Sequence, residues 1–268
     1  ALKQSVTPYN FVEHAKAELK AAGFTQIYEA DPWNFELGKK YFYTRNNSCI
    51  IAFNIGKKFS PSEGCYKIIG AHTDSPSLRI APNSYNPSGG LERYNIQSYG
   101  GGLWFTWLDR DLSIAGKVIF KDNEGKLNSK IIQCESPIFF IPNCPPHLKS
   151  ANERESLTIN KETHLKPLIA SLLVNETNGE KEDNKDKKLG KTLRTILLNE
   201  INKGSDKQLI NDADQIVDYD LCLYDIQEPQ LVGINKEFLS SGRLDNLGSS
   251  IPALYSIINA SKDELLEN

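Results

Sequence analysis

The chain has 268 residues, with 31 Lys plus Arg against 34 Asp plus Glu and a net charge of −3 at neutral pH. That length accommodates one large domain or two modest ones with a real core, and the slightly acidic balance argues against nucleic acid as the main partner. No run of ~18 or more apolar residues occurs, which argues against a membrane-spanning helix.

The first predicted element is a helix. Thr7-Pro8 marks its start, and Phe11, Val12, Ala15, Leu19 and Ala22 recur at helical spacing before Gly23 offers a C-terminal cap. Strand material follows at Trp33, at Phe42-Tyr43 and over Ile50 to Ile55, with Asn46-Asn47 as a turn between two of them. The run Tyr66 to Ala71, apolar apart from Lys67, has the length of a strand buried on both faces. A helix followed by such strands suggests a layered α/β domain.

The middle of the chain has a different texture. Tyr99-Gly100-Gly101-Gly102-Leu103-Trp104 is glycine-dense and flanked by aromatics. Ile114 to Phe120 and Lys130 to Cys134 read as strands joined by the turn-rich Asp122 to Gly125. Ile138 to Ile141 is a further apolar run, and Pro142, Pro145 and Pro146 then stop regular structure. Residues 175–188 are almost wholly polar and read as a surface loop. A helix carrying Leu193, Ile196, Leu197 and Ile201 on one face comes next. Tyr219 to Asp225 alternates as a strand, and Ile251 to Ile258 reads as a helix start behind Ser249-Ser250, with Pro252 in its first turn. Cys49, Cys65, Cys134, Cys144 and Cys222 are odd in number and form no Cys-x-x-Cys pair, which disfavours a thiolate zinc site and a disulfide framework. A reducing, cytoplasmic location is the simpler expectation, with a vacuole- or lysosome-like compartment as the alternative.

Two short islands carry the chemistry. The first is Gly70-Ala71-His72-Thr73-Asp74-Ser75-Pro76. On an extended strand end, residues two apart share one side, so His72 and Asp74 can act together. An imidazole that gives one nitrogen to a metal generally donates its other N–H to an acid or carbonyl. The plainer reading is a buried histidine that caps a turn. The second island is Gly242-Arg243-Leu244-Asp245-Asn246-Leu247. Asp245 there is either an acid at a helix N-terminus or a carboxylate bridging two metals, as in aminopeptidase-type sites.

These islands sit within a longer pattern. It includes Tyr41-Phe42-Tyr43-Thr44-Arg45-Asn46-Asn47-Ser48, the Ser98 to Leu112 block with its three glycines, Pro146-His147-Leu148 and Lys161-Glu162-Thr163-His164-Leu165-Lys166-Pro167. In this order they resemble the N-terminal part of the aspartyl aminopeptidase family, dizinc exopeptidases that act on acidic N-terminal residues. The resemblance implies a three-layer αβα zinc-exopeptidase-like domain from residues 1–77 and 232–268, interrupted by a β-rich dimerisation domain over 78–231. It implies His72 as a zinc ligand, Asp74 as its orienting acid and Asp245 as the bridge between two zinc ions. It implies that His147 reaches a neighbouring subunit's active site, that the substrate is a peptide with an acidic N-terminal residue, and that subunits assemble into dimers and a tetrahedral dodecamer. His14 and His164 are given no catalytic part.

The pattern also has a gap. The family's paired Glu-Glu, a further acid and a final histidine have no counterpart after Asp245, where the acids are Asp263, Glu264 and Glu267. The expectation is a polypeptide that is inactive alone and belongs to a longer chain. The competing readings are a shortened, non-catalytic relative acting through association, and another member of the wider dizinc superfamily, which the Gly100-Gly101-Gly102 block disfavours.

Overall fold

The structure is a computed structural model and describes residues 1–62, 64–172 and 188–262. It is a mixed α/β chain that divides into two compact units, one formed by residues 1–75 and 228–268, the other by 76–227. Residues 175–187 of the polar tract and the acids of the last six residues lie outside the described residues.

In the first unit, α1 spans Pro8–Ala21. Thr7 caps it by accepting from the Asn10 N–H, and Pro8 occupies the first turn, where a missing N–H costs nothing. Its far end closes as a Schellman motif: Gly23, at φ +80°, donates to the Lys20 carbonyl and Phe24 donates to that of Leu19. Strands β1 (Thr25–Gln26), β2 (Lys40–Arg45) and β3 (Cys49–Asn54) form a small sheet in that order. Asn46 and Asn47 both adopt positive φ, as the tight β2–β3 turn requires. Phe42 pairs across from Ala52, and Thr44 from Ile50; on this face Phe42 joins Phe11, Val12, Ala15 and Leu19 of α1 in the core. A C-terminal helix, treated below with the site, adds Leu247 and Leu254 to the same cluster.

Two expectations for this unit need correction. Trp33 is not in a strand; it lies in a loop, its indole donates to the Tyr28 carbonyl, and its ring packs on Tyr43 and Phe35 over the opposite face of β2–β3. Tyr66 to Ala71 forms no strand and pairs with none among the described residues, and Tyr66, Ile68 and Ile69 are largely exposed. Burial on both faces needs strands on each edge and a layer on each side, and among the described residues none covers this run. Strands β10 (Gln230–Val232) and β11 (Phe238–Ser240) make a separate hairpin whose strand residues are all exposed.

The second unit is built on a six-stranded sheet in the order β7-β6-β9-β4-β5-β8. Its strands are β4 (Ser77–Tyr85), β5 (Leu91–Tyr99), β6 (Leu112–Lys121), β7 (Leu127–Gln133), β8 (Leu168–Ser171) and β9 (Ile216–Asp225). Strands β4 and β5 were not anticipated from sequence, whereas β6, β7 and β9 were. The Ile138 to Ile141 run makes only isolated bridges, to Leu112 and Leu168. Beyond the prolines, Ser150 and Glu153 form a reciprocal capping box that starts α2 (Ala151–Glu155), a short helix that the sequence reading missed.

Helix α3 (Lys191–Asn202) buries Leu193, Leu197 and Ile201 in the core of this unit. A polar clasp holds its start: the buried Glu92 carboxylate accepts from the Tyr94 and Thr192 hydroxyls, each at 2.7 Å. At its far end the Lys130 ammonium donates to the carbonyls of Ile201 and Lys203, at 2.7 and 2.6 Å. Burial lowers the Lys130 pKa, so desolvation offsets part of that gain. Lys130→Met keeps the aliphatic stem and removes the donor. We expect it to lower the unfolding free energy by about 1 kcal/mol in urea denaturation, the usual net worth of such bonds.

Candidate metal centre

Both islands lie in the first unit. After the exposed run, His72 lies in an irregular segment. Helix α4 (Leu244–Ala260) carries Asp245 in its first turn; Arg243 precedes it in the left-handed region at φ +63°, and Asp245 and Asn246 depart from helical geometry before the regular helix begins. The helix thus starts earlier than the sequence suggests. Ser250 lies within it rather than ahead of it, and Pro252 comes well after its first residues.

The His72 ring lies between the two carboxylates. Its Nδ1 is 2.9 Å from the Asp74 backbone carbonyl and 3.4 Å from Asp74 Oδ1. A carbonyl oxygen only accepts, so Nδ1 carries the proton in this hydrogen bond. In the neutral ring, Nε2 then presents a lone pair, and it faces Asp245 Oδ1 at 3.5 Å. Two electron-rich atoms facing one another need a cation or a proton between them. Two donors each ~2.0–2.2 Å from one tetrahedral ion stand roughly 3.3–3.5 Å apart, so the spacing fits a shared metal ion. The main orienting hydrogen bond to His72 comes from the backbone of Asp74, with its carboxylate second.

The donor set is partial. Among the described residues no group of three or more His, Cys, Asp or Glu side chains is placed to hold a metal ion, whereas catalytic zinc generally takes three protein ligands. The pair is also open to water: the side chains of His72 and Asp245 are 53% and 73% exposed. A contact so exposed is weak and cannot by itself fix the His72 loop. Two hydroxyls tie that loop instead. Thr73 Oγ1 donates to the Ser48 carbonyl at 2.9 Å, and Ser250 Oγ donates to the His72 carbonyl at 2.6 Å. Sequence reading missed both tethers; the available signal was the polar Ser250 in the stripe between Leu247 and Leu254.

The other three histidines have surroundings of their own. His147 is exposed on a short 3-10 turn, Pro146–Leu148, in the second unit. His164 Nδ1 accepts from the Asn160 N–H at 3.1 Å, a local turn contact. His14 lies on α1, where burial, then the positive N-terminus, lowers its pKa.

Comparison with known proteins supplies a context for this geometry. The family model described as Aminopeptidase I zinc metalloprotease (M18) matches residues 1–268. Aspartyl aminopeptidase 1 of Schizosaccharomyces pombe is 40% identical over 98% of this chain and 55% of its own length. The structure of the Ape4 and Nbr1 complex contains a chain 38% identical, with a TM-score of 0.90 over 97% of this chain and 49% of that one. Chaetomium thermophilum mApe1 is 29% identical, with a TM-score of 0.83 over 96% of this chain and 56% of its own. The chain therefore spans about half the length of the relatives it matches.

Proposed function

Since this chain belongs to the M18 family, the aminopeptidase I zinc metalloproteases, we propose that it forms a metal-binding part of a zinc aminopeptidase that releases acidic residues from peptide N-termini. The observation that carries this reading is the approach of His72 Nε2 to Asp245 Oδ1, at 3.5 Å, across more than half the chain. The acidic preference rests on the names of relatives, among them aspartyl aminopeptidases of Schizosaccharomyces pombe and Dictyostelium discoideum.

In this reading His72 and Asp245 would hold zinc, and Asp74 would keep the His72 ring in the tautomer that leaves Nε2 free. The chemistry that bound zinc would supply is Lewis-acid polarisation of a carbonyl and activation of water near neutral pH. The remaining ligands and the general base are assigned to groups other than the described residues, and the 268-residue polypeptide is proposed to be inactive by itself. We further propose that the second unit mediates dimerisation and assembly up to a dodecamer, with His147 serving a neighbouring subunit's site. The exposure of Leu103, Phe105 and Leu148 on this unit supports an association role.

The test is an assay of the 268-residue chain with an aspartyl chromogenic substrate and added Zn²⁺, run beside calorimetric titration of Zn²⁺. We expect zinc binding without turnover. Robust turnover would contradict the assignment of the missing ligands, and zinc binding that survives loss of both His72 and Asp245 would contradict the site.

A further inference from the structure

Helix α4 puts Leu247, Ser250 and Leu254 on one stripe, three and four residues apart, and all three are buried. A hydroxyl in an apolar stripe needs a hydrogen-bond partner or it costs stability. Ser250, 5% exposed, finds one by donating to the His72 carbonyl at 2.6 Å. The other end of this loop is held by Thr73 Oγ1 on the Ser48 carbonyl, in the β2–β3 turn. The segment entering the loop pairs with no strand among the described residues, and the exposed His72–Asp245 approach is too weak to define a geometry.

From these facts we propose that Ser250 is a positioning residue. Its hydroxyl fixes the His72 backbone to the helix that carries Asp245, and so sets the distance between the two ligand atoms before any metal arrives. The inference rests on the metal-site reading, but it concerns a different atom and has its own readout. Ser250 follows Asp245 by five residues and sits in the regular part of α4, so the helix that begins directly after Asp245 and Asn246 carries the tether. The fold thereby couples two ligands that come from distant parts of the chain, and metal binding does not have to order the loop. Preorganisation of this kind strengthens binding by removing the entropy of ordering from the binding step.

The test uses Ser250→Ala, Ser250→Thr and Thr73→Val in the 268-residue chain. Alanine is the strongest helix former, so the first variant keeps α4. Without metal, ¹⁵N order parameters at Thr73 and Asp74 should be near the rigid value of ~0.85 in the parent and fall below ~0.6 in Ser250→Ala, with α1 amides unchanged. Zn²⁺ affinity by calorimetry should fall about tenfold in Ser250→Ala and Thr73→Val, in line with the loss of an outer-shell partner. Ser250→Thr, which restores the hydroxyl, should recover most of both. Parent-like order parameters in Ser250→Ala would overturn the tether. A mobile loop with unchanged zinc affinity would overturn its positioning role. If His72→Ala binds zinc like the parent, the metal site itself fails, and the order parameters alone then decide whether Ser250 holds the loop.

Discussion

Replacing His72 with alanine should weaken Zn²⁺ binding by the 268-residue chain at least ~100-fold, more than the ~10–100-fold that loss of an outer-shell partner costs. The reason is the size of the donor set. With His72 Nε2 and Asp245 Oδ1 as the two atoms at metal-sharing distance, loss of the imidazole leaves one carboxylate, no better than a surface acid. Asp74→Ala should behave differently. The acceptor at 2.9 Å from Nδ1 is the Asp74 backbone carbonyl, which the substitution keeps, so the loss should stay within about tenfold. Calorimetric titration of Zn²⁺ into the parent and both variants separates these outcomes. Equal losses in the two would show that the Asp74 carboxylate is itself a ligand, and no loss in either would remove His72 from the site.

Gly116→Ala should destabilise the second unit by about 3–5 kcal/mol, the range of the most severe single substitutions. Gly116 sits in mid-strand in β6, paired with Leu221 of β9 and Ile132 of β7, at φ +150°. A β-carbon built there would stand 2.0 Å from the Asp220 carbonyl oxygen, with further backbone atoms of β9 at 3.0 and 3.1 Å. No rotation of a methyl group relieves a clash with backbone. The sheet must therefore open between β6 and β9, its two longest strands, and Leu221, Leu223, Ile114 and Val118 lose their packing together. Urea denaturation monitored by tryptophan fluorescence, which reports Trp104 and Trp107 in this unit, gives the measurement. A change below 1 kcal/mol would show that the strands shift to accommodate the methyl group.

Local signals were legible in the sequence where neighbours in the chain supply the physics. The Thr7-Pro8 start and Gly23 stop of α1, the Asn46-Asn47 turn, and the alternation in β9 depend on residues a few positions apart. His72 and Asp74 stood out because their spacing of two suits metal chemistry, whereas the role given to Asp245 came from the resemblance to the aspartyl aminopeptidase family. Strands β4 and β5 escaped because Arg79, Pro82 and Asn83 break one pattern and Glu92, Arg93 and Asn95 the other; in the structure Glu92 finds partners in Tyr94 and Thr192, Arg79 in Asp220 and Asn95 in Asn86. The Tyr66 to Ala71 run was misread for the opposite reason. Its composition promises burial, but burial is a property of the neighbours, and a linear reading cannot see whether they are there. Ser250 was likewise read as a helix-start signal because Ser249-Ser250-Ile251-Pro252 looks like one; its tie to His72 spans 178 residues.

The exposed apolar segments of the first unit have a thermodynamic corollary. Leu231, Val232, Phe238 and Leu239 of the β10–β11 ribbon, with Ile234 at its tip, join Tyr66, Ile68 and Ile69 in facing water. Shielding a side chain of this size from solvent is worth ~1.5–3 kcal/mol, so the eight together hold a reserve of free energy comparable to the whole stability of a small domain. A surface that covered them would draw most of its affinity from this apolar area, and Tyr66–Ala71, which pairs with no strand among the described residues, would offer it backbone groups that set a register.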